Sequence, residues 1–352
     1  MKIKINNILY FCIIYILIQT NYYFNIYKND TNLKYINTSF IFFFTCIFFF
    51  KNIKFFIEMK KKESIILIFT LFLRKFYIGS YIIIFFKVIN KKKRLKIILF
   101  VLIFFYILTI LLNYFGIFNE NISRVILRKF EDFSKNRYTL GFAHPNTAMS
   151  LLLPIFFLIY YLYYDRTKIL ISMFIFIIGK IVFNYTYSRT TFLLILLFIF
   201  LILVNDKYIE KLKKIFLLEG GITIFFTFFL PYYFRNTFLN KLLSGRLILF
   251  YNYLTKFQIT LFGNKEIIGY YKIYPLDNVY LRILFENGII GFILLIILIF
   301  YIMKILFKNK DYKAIRIFSI VLIFGVMEGS ALNYYLNIIY FIIPDYIFIE
   351  KE

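Results

Sequence analysis

The sequence is poor in the residues that build metal sites and disulfide frameworks. It has one histidine, His144, and two cysteines, Cys12 and Cys46, which both lie inside apolar runs. There is no CxxC pair and no metal-ligand spacing, so neither a disulfide framework nor a metal site is expected. The sequence also shows no ATP-binding motif, no internal repeat and no soluble domain. These absences argue against a cofactor.

Acidic residues are scarce as well. The chain has 18 Asp and Glu against 43 Lys and Arg, which gives a net charge of +25. In a soluble protein this excess would favour nucleic-acid binding. Here the basic residues concentrate in short connections between apolar runs, where the positive-inside rule of membrane proteins places them. Nucleic acid is therefore not an expected partner.

Long apolar runs dominate the 352 residues, of which 62% are hydrophobic. Runs of about 20 residues are the length that crosses a bilayer as a helix. The pattern predicts an all-α polytopic membrane protein with 11–12 transmembrane helices, forming one integral membrane domain over residues 1–352. The N-terminus lacks a small-residue cleavage site, so the first helix is expected to remain. The predicted spans are 8–27, 36–57, 64–90, 95–118, 145–164, 168–187, 189–204, 215–234, 278–307, 314–328 and 331–349.

Basic connections predict how the chain is oriented in the cytoplasmic membrane. The short segments 165–168, 205–214 and 308–316 are expected inside the cell, together with the C-terminus. This leaves a first outer loop over 119–144 and a large extracytoplasmic loop over 235–277. The N-terminal quarter allows two readings: an extracytoplasmic N-terminus, or a hairpin within 64–90 interrupted at Arg74 and Lys75.

Both outer loops carry an apolar stripe at helical spacing and are predicted to contain short amphipathic helices on the membrane surface. In 242–262, Arg246 falls about 60° from the centre of the stripe at 100° per residue. Arg246 should therefore flank the buried side, whereas Lys256 should point into water. The two stripes are Ile122, Val125, Ile126, Phe130 and Phe133, and Leu243, Leu247, Phe250, Leu254, Phe257 and Leu261.

The stretch 137–146, Arg-Tyr-Thr-Leu-Gly-Phe-Ala-His-Pro-Asn, is the first candidate for substrate binding. Arg137, His144 and Asn146 would form a polar cluster at the outer mouth of a span, able to bind phosphate. The structural alternative is an interfacial arginine followed by a His-Pro-Asn turn that caps the next helix.

Three further residues are candidates for catalysis. Arg189 and Arg246 lie on the side that the positive-inside rule disfavours, and a guanidinium binds phosphate oxygens in a bidentate manner. The alternative for Arg189 is a snorkelling anchor. Asp277 is the acidic residue best placed to act as a general base. Its alternative is an N-cap, a role that Asn278 also suits.

Ionisable residues in or near the spans are functional candidates by default. Glu328, near the outer end of its span, is the strongest of these as a substrate-binding residue. Lys180, Glu219 and Glu286 are weaker candidates, and Lys180 can instead snorkel or pair with a carboxylate. Arginines and a carboxylate on the outer face suit a lipid-anchored substrate with a phosphate leaving group. The arginines would stabilise the departing pyrophosphate in place of a metal.

At these residues the chain resembles the Wzy-like O-antigen and capsular polysaccharide polymerases, in the superfamily of the O-antigen ligases. The resemblance covers about 119–340, and the first 118 residues match only as generic spans. It rests on four motifs in order, at 137–146, at 187–190 (Tyr-Ser-Arg-Thr), at 244–246 (Ser-Gly-Arg), and at 276–281 with 286–291 (Leu-Asp-Asn-Val-Tyr-Leu and Glu-Asn-Gly-Ile-Ile-Gly).

The resemblance implies a GT-C-like fold and a metal-independent inverting glycosyltransferase. The implied substrates are undecaprenyl-pyrophosphate-linked oligosaccharides, joined at the outer face during capsule, exopolysaccharide or O-antigen biosynthesis. Arg189 and Arg246 would bind the pyrophosphate. The ligase branch ends its large loop with a His-Asn pair, whereas this chain has Asp277-Asn278, which favours the polymerase branch. A chain-length regulator and a flippase are candidate partners.

Two alternatives remain open. One is an O-antigen-ligase-like transfer of the glycan to another acceptor. The other is a flippase or transporter of lipid-linked oligosaccharides. A transporter is expected to show internal repeats and midplane polar sites in broken helices. The sequence indicates neither.

Overall fold

The computed structural model describes residues 90–116, 137–164, 167–243, 245–264, 267–270, 274, 276–329, 331 and 336–347. These residues are helical without a strand, as the all-α prediction requires. The helices are α1 (Lys91–Tyr114), α2 (Pro145–Ser150), α3 (Leu152–Tyr163), α4 (Lys168–Thr186), α5 (Arg189–Leu203), α6 (Asp206–Lys211), α7 (Lys213–Phe234), α8 (Phe238–Leu242), α9 (Arg246–Lys256), α10 (Ile267–Tyr270), α11 (Val279–Lys308), α12 (Tyr312–Met327), α13 (Ile339–Ile342) and α14 (Pro344–Ile347).

Five of the described helical segments are long and apolar enough to cross a membrane. They are α1, α2 with α3 (Pro145–Tyr163), α4, α7 and α11, and α5 is a shorter apolar helix. This supports a membrane protein. The predicted spans 8–27, 36–57 and 64–90, the two cysteines and the stripe in 119–135 lie outside the described residues. The count of 11–12 spans and the single membrane domain therefore remain predictions.

The chain divides into two compact units, with the boundary between Leu196 and Leu197 inside α5. In the first unit α1 packs on α3, and α2 packs on α4. The Tyr106 hydroxyl donates to the carbonyl of Ala148 (3.1 Å) and ties α1 to α2. Gly141 has a φ of +86°, and a Cβ there would lie 2.8 Å from the carbonyl oxygen of Thr109. Only glycine lets this turn approach α1 so closely.

The second unit is built on α7, α11 and α12, which pack against one another. Its two ends are distinguished by their polar contacts. At the Asp277 end, the Asn278 side chain donates to the carbonyl of Val326 (3.0 Å) and joins the start of α11 to the end of α12. At the Asp311 end, Arg316 binds the carbonyls of Leu201 (2.7 Å) and Val204 (2.6 Å).

Arg316 shows that two predicted cytoplasmic connections lie together. It is fully buried, and its guanidinium forms a 2.6 Å ion pair with Asp206. The contact brings 205–214 and 308–316 to the same end of the unit, which a common side of the membrane requires. An arginine that binds the last carbonyls of α5 also complements the negative end of that helix.

The predicted span 331–349 is wrong as a continuous helix. Its described part contains only the short helices α13 and α14, which are separated at Ile343. Pro344 cannot donate to the preceding turn, and the Asn337 side chain caps a new start at Ile339 (3.1 Å). The direction of the segment is nevertheless as expected. It begins beside Glu328 and reaches the Asp311 end, where the Tyr346 hydroxyl donates to Asp311.

The amphipathic stripe in 242–262 forms a helix only over α9, and its apolar face packs on protein rather than on lipid. Leu247, Phe250 and Tyr253 are each 1% exposed. Their neighbours come from α7 and α11, including Phe228 and Phe285. Leu261, predicted in the stripe, lies beyond the helix and is 59% exposed. The surface-helix prediction is therefore wrong about the partner, because the loop folds back on its own unit.

Helix α11 is broken at Gly288, whose φ of 73° and ψ of −172° are non-helical. This backbone region is accessible almost only to glycine. The sequence indicated no midplane polar sites in broken helices, and the structure reveals a broken helix that the sequence did not indicate. The part beyond the break, residues 289–308, is about 20 residues and so about 30 Å long. That length matches the thickness of the hydrocarbon core of a bilayer.

The loop after α9 supplies the hydrogen bonds that the break removes. The backbone N–H groups of Ile289 and Ile290 donate to the carbonyls of Thr260 (3.0 Å) and Leu261 (3.3 Å). In return, the N–H of Asn264 donates to the carbonyl of Phe285 (2.8 Å). Backbone groups freed inside an apolar protein cost several kcal/mol when unpaired, so the loop and the break stabilise each other.

Two glycines make this approach sterically feasible. A Cβ at Gly288 would lie 2.2 Å from the carbonyl oxygen of Leu261. A Cβ at Gly263, where φ is +89°, would lie 2.1 Å from the carbonyl oxygen of Glu286. Both clashes involve backbone atoms, which have no rotamer by which to move away. The motif Glu-Asn-Gly at 286–288 therefore marks a docking point for the loop that follows α9.

We expect Gly288→Ala to lower the melting temperature strongly, because it adds a clash to an unfavourable φ. Positive φ alone costs an alanine about 1–2 kcal/mol. Gly116→Ala is the matched control, since Gly116 has a φ of +70° and open space around its Cβ. Gly221→Ala is the neutral control, because that glycine is helical and also open. Thermal unfolding of purified protein in detergent measures all three. Equal melting of the Gly288 and Gly116 variants would contradict the docking described above.

Candidate functional site

The first cluster lies in the first unit, where Arg137 joins two segments. Its Nε donates to the carbonyl of Thr186 (2.8 Å), the last residue of α4, and its Nη2 donates to Asn146 Oδ1 (2.7 Å). The backbone N–H of Tyr138 donates to the carbonyl of Tyr185 (2.9 Å) and fixes the approach. The structure therefore brings Arg137 and Asn146 together, as the motif predicts. It also shows Arg137 serving as a cation at the C-terminus of α4.

His144 has the capping role that was the alternative to substrate binding. Its Nδ1 accepts from the backbone N–H of Asn146 (3.1 Å), and Pro145 occupies the first position of α2. A proline there is preorganised for the helix and has no N–H to leave unsatisfied. His144 is exposed. The substrate role proposed for it stays a prediction.

Arg189 is the first residue of α5 and is half-buried. It follows a tight connection in which Tyr187 has a left-handed φ of 49° and Ser188 is buried, with its hydroxyl 3.3 Å from that of Thr191. Arg189 lies three residues after Thr186, the residue that Arg137 binds. Arg137, Asn146 and Arg189 thus lie at one end of the first unit.

The second cluster centres on an ion pair between Arg246 and Asp277. Arg246 Nη2 lies 3.0 Å from Asp277 Oδ2, and the two side chains are 10% and 36% exposed. Among the described residues, the Asp277 carboxylate accepts a hydrogen bond from this guanidinium. The prediction that Arg246 flanks the buried face of its helix is confirmed. Lys256 is exposed, as expected, with its ammonium 4.2 Å from the ring of Tyr270.

Local sequence explains how Arg246 reaches this position. Gly245 adopts a left-handed φ of 82° and lets α9 begin directly at Arg246. The Asn240 side chain accepts from the backbone N–H of Leu247 (3.0 Å) and so replaces a cap from Gly245, which has no side chain. The buried apolar residues Leu247, Phe250 and Tyr253 then hold α9 in place. The guanidinium is fixed at the N-terminal end of α9, over the start of α11.

Asn278, and not Asp277, is the N-cap of α11. Its Oδ1 accepts from the backbone N–H groups of Tyr280 and Leu281, both at 3.0 Å, and its Nδ2 donates to Val326. The side chain is fully buried. A substrate contact, predicted for Asn278, would require this side chain to become exposed. The capping alternative for Asp277 is wrong, since the neighbouring residue fills that role and leaves Asp277 to pair with Arg246.

Arg282 is a residue of this cluster that sequence reasoning missed. Its Nε lies 2.8 Å from Glu286 Oε1, four residues later on α11. Arg282 Nη1 would lie 3.5 Å from a Cβ at Gly329, the residue after Glu328. The i,i+4 spacing of Arg282 and Glu286 was visible in the sequence. The structure thus gathers Asp277, Arg282, Glu286 and Glu328 at the end of the unit that also holds Arg246.

Tyr253, a buried residue of α9, lies beside the second cluster. Burial raises the pKa of Tyr253 to about 12, with Tyr270 adding to the rise and Arg282 opposing it. The hydroxyl therefore stays protonated at neutral pH and donates to the carbonyl of Tyr274. Rings of Phe257 and Tyr270 pack on it at 5.6 and 5.3 Å. These contacts stiffen the loop on which Arg246 depends.

Two weaker candidates have structural contacts away from these clusters. The Glu219 carboxylate accepts from the Ser319 hydroxyl at 2.5 Å and links α7 to α12 inside the second unit. The Lys180 ammonium lies 5.2 and 5.7 Å from the rings of Phe183 and Phe192. A cation over aromatic faces is a favourable placement for an exposed lysine on an apolar helix.

The second cluster could bind an anion, because its basic side chain Arg246 is already oriented by Asp277. Asp277 holds one edge of the Arg246 guanidinium, and a guanidinium has five donors, so other edges remain for phosphate oxygens.

No protein-family model, curated protein or solved structure matches this chain. The described residues contain no group of three His, Cys, Asp or Glu side chains placed to hold a metal.

Reciprocal amide and carboxylate exchanges distinguish the roles of the adjacent residues 277 and 278. Asn278→Asp keeps an acceptor suited to an N-cap but places a charge at full burial and removes the donor to Val326. We expect it to cost about 3 kcal/mol or more in the free energy of unfolding. Asp277→Asn keeps an acceptor for Arg246 at a partly exposed position, and we expect a change within about 1 kcal/mol. Chemical denaturation of the purified variants measures the difference. Equal losses would contradict the assignment of the cap.

Proposed function

We propose that this protein is a polysaccharide polymerase that joins lipid-pyrophosphate-linked oligosaccharide units at the outer face of the cytoplasmic membrane. The observation that carries the proposal is the partly buried Arg246–Asp277 pair on a loop docked at one end of an apolar helical unit. The motif resemblance adds the substrate class. The proposed enzyme is a glycosyltransferase that uses arginine side chains to bind the pyrophosphate.

In the proposed reaction, a hydroxyl of the acceptor sugar attacks the anomeric carbon of the donor. The new C–O bond forms as the bond to pyrophosphate breaks, and the leaving group takes the electron pair. Arg246 stabilises the negative charge that develops on the pyrophosphate. Asp277 accepts the proton of the attacking hydroxyl, through the carboxylate oxygen that does not bind Arg246. Attack opposite to the leaving group inverts the anomeric configuration.

The ion pair supports the proposed roles of Arg246 in binding pyrophosphate and of Asp277 in accepting the proton. A guanidinium held by a carboxylate has less rotamer freedom to lose when phosphate binds, so less of the binding energy is spent on ordering it. Asp277 is more exposed than Arg246, which suits a group that must meet a substrate hydroxyl. Arg282 and Glu328 are proposed to contact the sugars or the pyrophosphate beside them.

Arg189 is proposed to bind the pyrophosphate too, on the basis of the motif resemblance. It belongs to the first unit, so it needs a variant of its own. Arg137 has a structural partner at the end of α4, and a loss of function in an Arg137 variant would have to be separated from a loss of stability. The neighbouring Asn146 is the better probe of substrate contact at that cluster.

Substitution of the arginines tests the polymerase. We expect Arg246→Gln and Arg189→Gln to reduce polymer formation by about 10²-fold or more, as the loss of a charge-stabilising donor does in other enzymes. Arg246→Lys should retain only part of the polymer formation, because an ammonium lacks the planar, bidentate donor arrangement of a guanidinium. Gel analysis of glycan chain length in cells, with an immunoblot for protein level, is the measurement. Lys256→Gln is the matched control, since Lys256 is exposed on the same loop.

Normal chain length in both arginine variants would exclude these residues from the reaction. Accumulation of long polymer that is still attached to its lipid carrier would favour the ligase-like transfer to another acceptor instead.

The break in α11 favours a second candidate, a flippase for lipid-linked oligosaccharides, because interrupted helices line the substrate sites of many transporters. The position of the break near one end of the helix argues for the enzyme. Purified protein reconstituted in liposomes with a fluorescent lipid-linked oligosaccharide separates the two. The polymerase predicts no translocation above protein-free vesicles, measured with a membrane-impermeant quencher. Translocation by the wild type above that level would establish the transporter.

A further inference from the structure

An aromatic groove runs along the outer surface of α7 in the half nearest the Asp277 end. Its walls are Phe225, Phe228, Phe229, Tyr232 and Tyr233. Phe225 stacks on Phe229 (5.2 Å between centroids), and Phe229 packs on Tyr233 (4.5 Å), so the rings form a ladder at i,i+4 spacing. Tyr233 is 69% exposed and Phe225 is 57% exposed. A groove of this kind on a membrane-crossing helix faces lipid.

A cation marks one end of the groove. The guanidinium carbon of Arg235 lies 3.8 Å from the ring centroid of Tyr251, and Arg235 Nη1 donates to the carbonyl of Tyr232 (2.8 Å). Tyr251 in turn meets Tyr232 edge to face at 5.3 Å. These contacts hold the guanidinium beside Tyr232, which forms one wall of the groove. Among the described residues, no carboxylate forms an ion pair with it.

The groove is separate from the Arg246–Asp277 pair. Arg246 and Tyr251 lie five positions apart on α9, which places them about 140° from each other around the helix axis. Arg246 is buried toward Asp277, whereas Tyr251 presents its ring to Arg235 on the side of the groove. A ligand in the groove would therefore not occupy the site proposed for the pyrophosphate.

We propose that the groove binds one anionic phospholipid of the surrounding bilayer, with its phosphate at Arg235 and an acyl chain along the ring ladder. Charge complementarity selects the head group, since a guanidinium at one end of an otherwise apolar groove favours an anion. From position 225 to position 233 the ladder rises about 12 Å, so it accommodates part of one chain. The groove is continuous with the apolar surface of α7, so the lipid binds without leaving the bilayer. This proposal is independent of the proposed function.

Native mass spectrometry of the full chain, titrated with phosphatidylglycerol or phosphatidylcholine, tests the site. The wild type should bind one phosphatidylglycerol in preference to phosphatidylcholine. Arg235→Gln should weaken phosphatidylglycerol binding about fivefold, the contribution of one basic residue near a membrane surface. It should weaken phosphatidylcholine binding less, because the choline cation offsets the phosphate charge beside Arg235. Arg235→Lys should recover most of the affinity. Phe229→Ala should weaken the binding of both long-chain lipids.

Lys256→Gln is the matched control, because Lys256 also lies over a tyrosine ring in the same loop but away from the groove. Equal weakening by Arg235→Gln and Lys256→Gln would overturn the proposal in favour of general surface charge. Equal binding of the two phospholipids by the wild type would also overturn it. A polyprenyl phosphate that copurifies with the wild type and is lost in Arg235→Gln would replace the proposed occupant. Thermal unfolding of each variant verifies that the protein is folded.

Discussion

The second unit depends on one backbone exchange, in which the loop after α9 repairs the break in α11. Ile289 and Ile290 lose their helical acceptors at Gly288 and find new ones in Thr260 and Leu261. Inside an apolar protein these groups have no water to bind, so the loop is bound where the helix is broken. The same exchange anchors the far end of the loop that carries Arg246. The position of the candidate catalytic arginine thus follows from a hydrogen-bond requirement some distance away along the chain.

In the candidate site, the residues that stabilise the fold are different from those proposed to take part in the reaction. Asn278 is completely buried and satisfied by three hydrogen bonds, so it supports the start of α11. Asp277, one residue earlier, is partly exposed and free of the capping role, and it orients Arg246. Arg137 and His144 are closer to the supporting kind, since one complements the end of α4 and the other caps α2. An arginine at a helix end can thus serve stability or chemistry, and its contacts distinguish the two.

Three arginines of the second unit, Arg316, Arg246 and Arg235, have different environments. Arg316 is fully buried and neutralised by Asp206 and two helix carbonyls, which is a structural arrangement. Arg246 is held by a single carboxylate at the edge of a cluster of charges. Arg235 stacks on Tyr251 beside the aromatic groove, and it is the residue proposed to bind the head group of an anionic lipid.

Composition and periodicity by themselves determined the helical class, the bounds of the spans near 168–186, 189–203 and 279–308, and the burial of Arg246. Apolar runs must form helices in lipid, and one helical turn fixes which side of α9 a residue occupies. Only the tertiary structure decided what covers each face. It showed that α9 packs on α7 and α11 rather than on lipid, because an apolar stripe is equally satisfied by either. It also revealed the break at Gly288, the irregular path of 336–347 and the choice of Asn278 as the cap. These depend on neighbours distant in the chain, such as Leu261 and Val326, which local patterns do not encode.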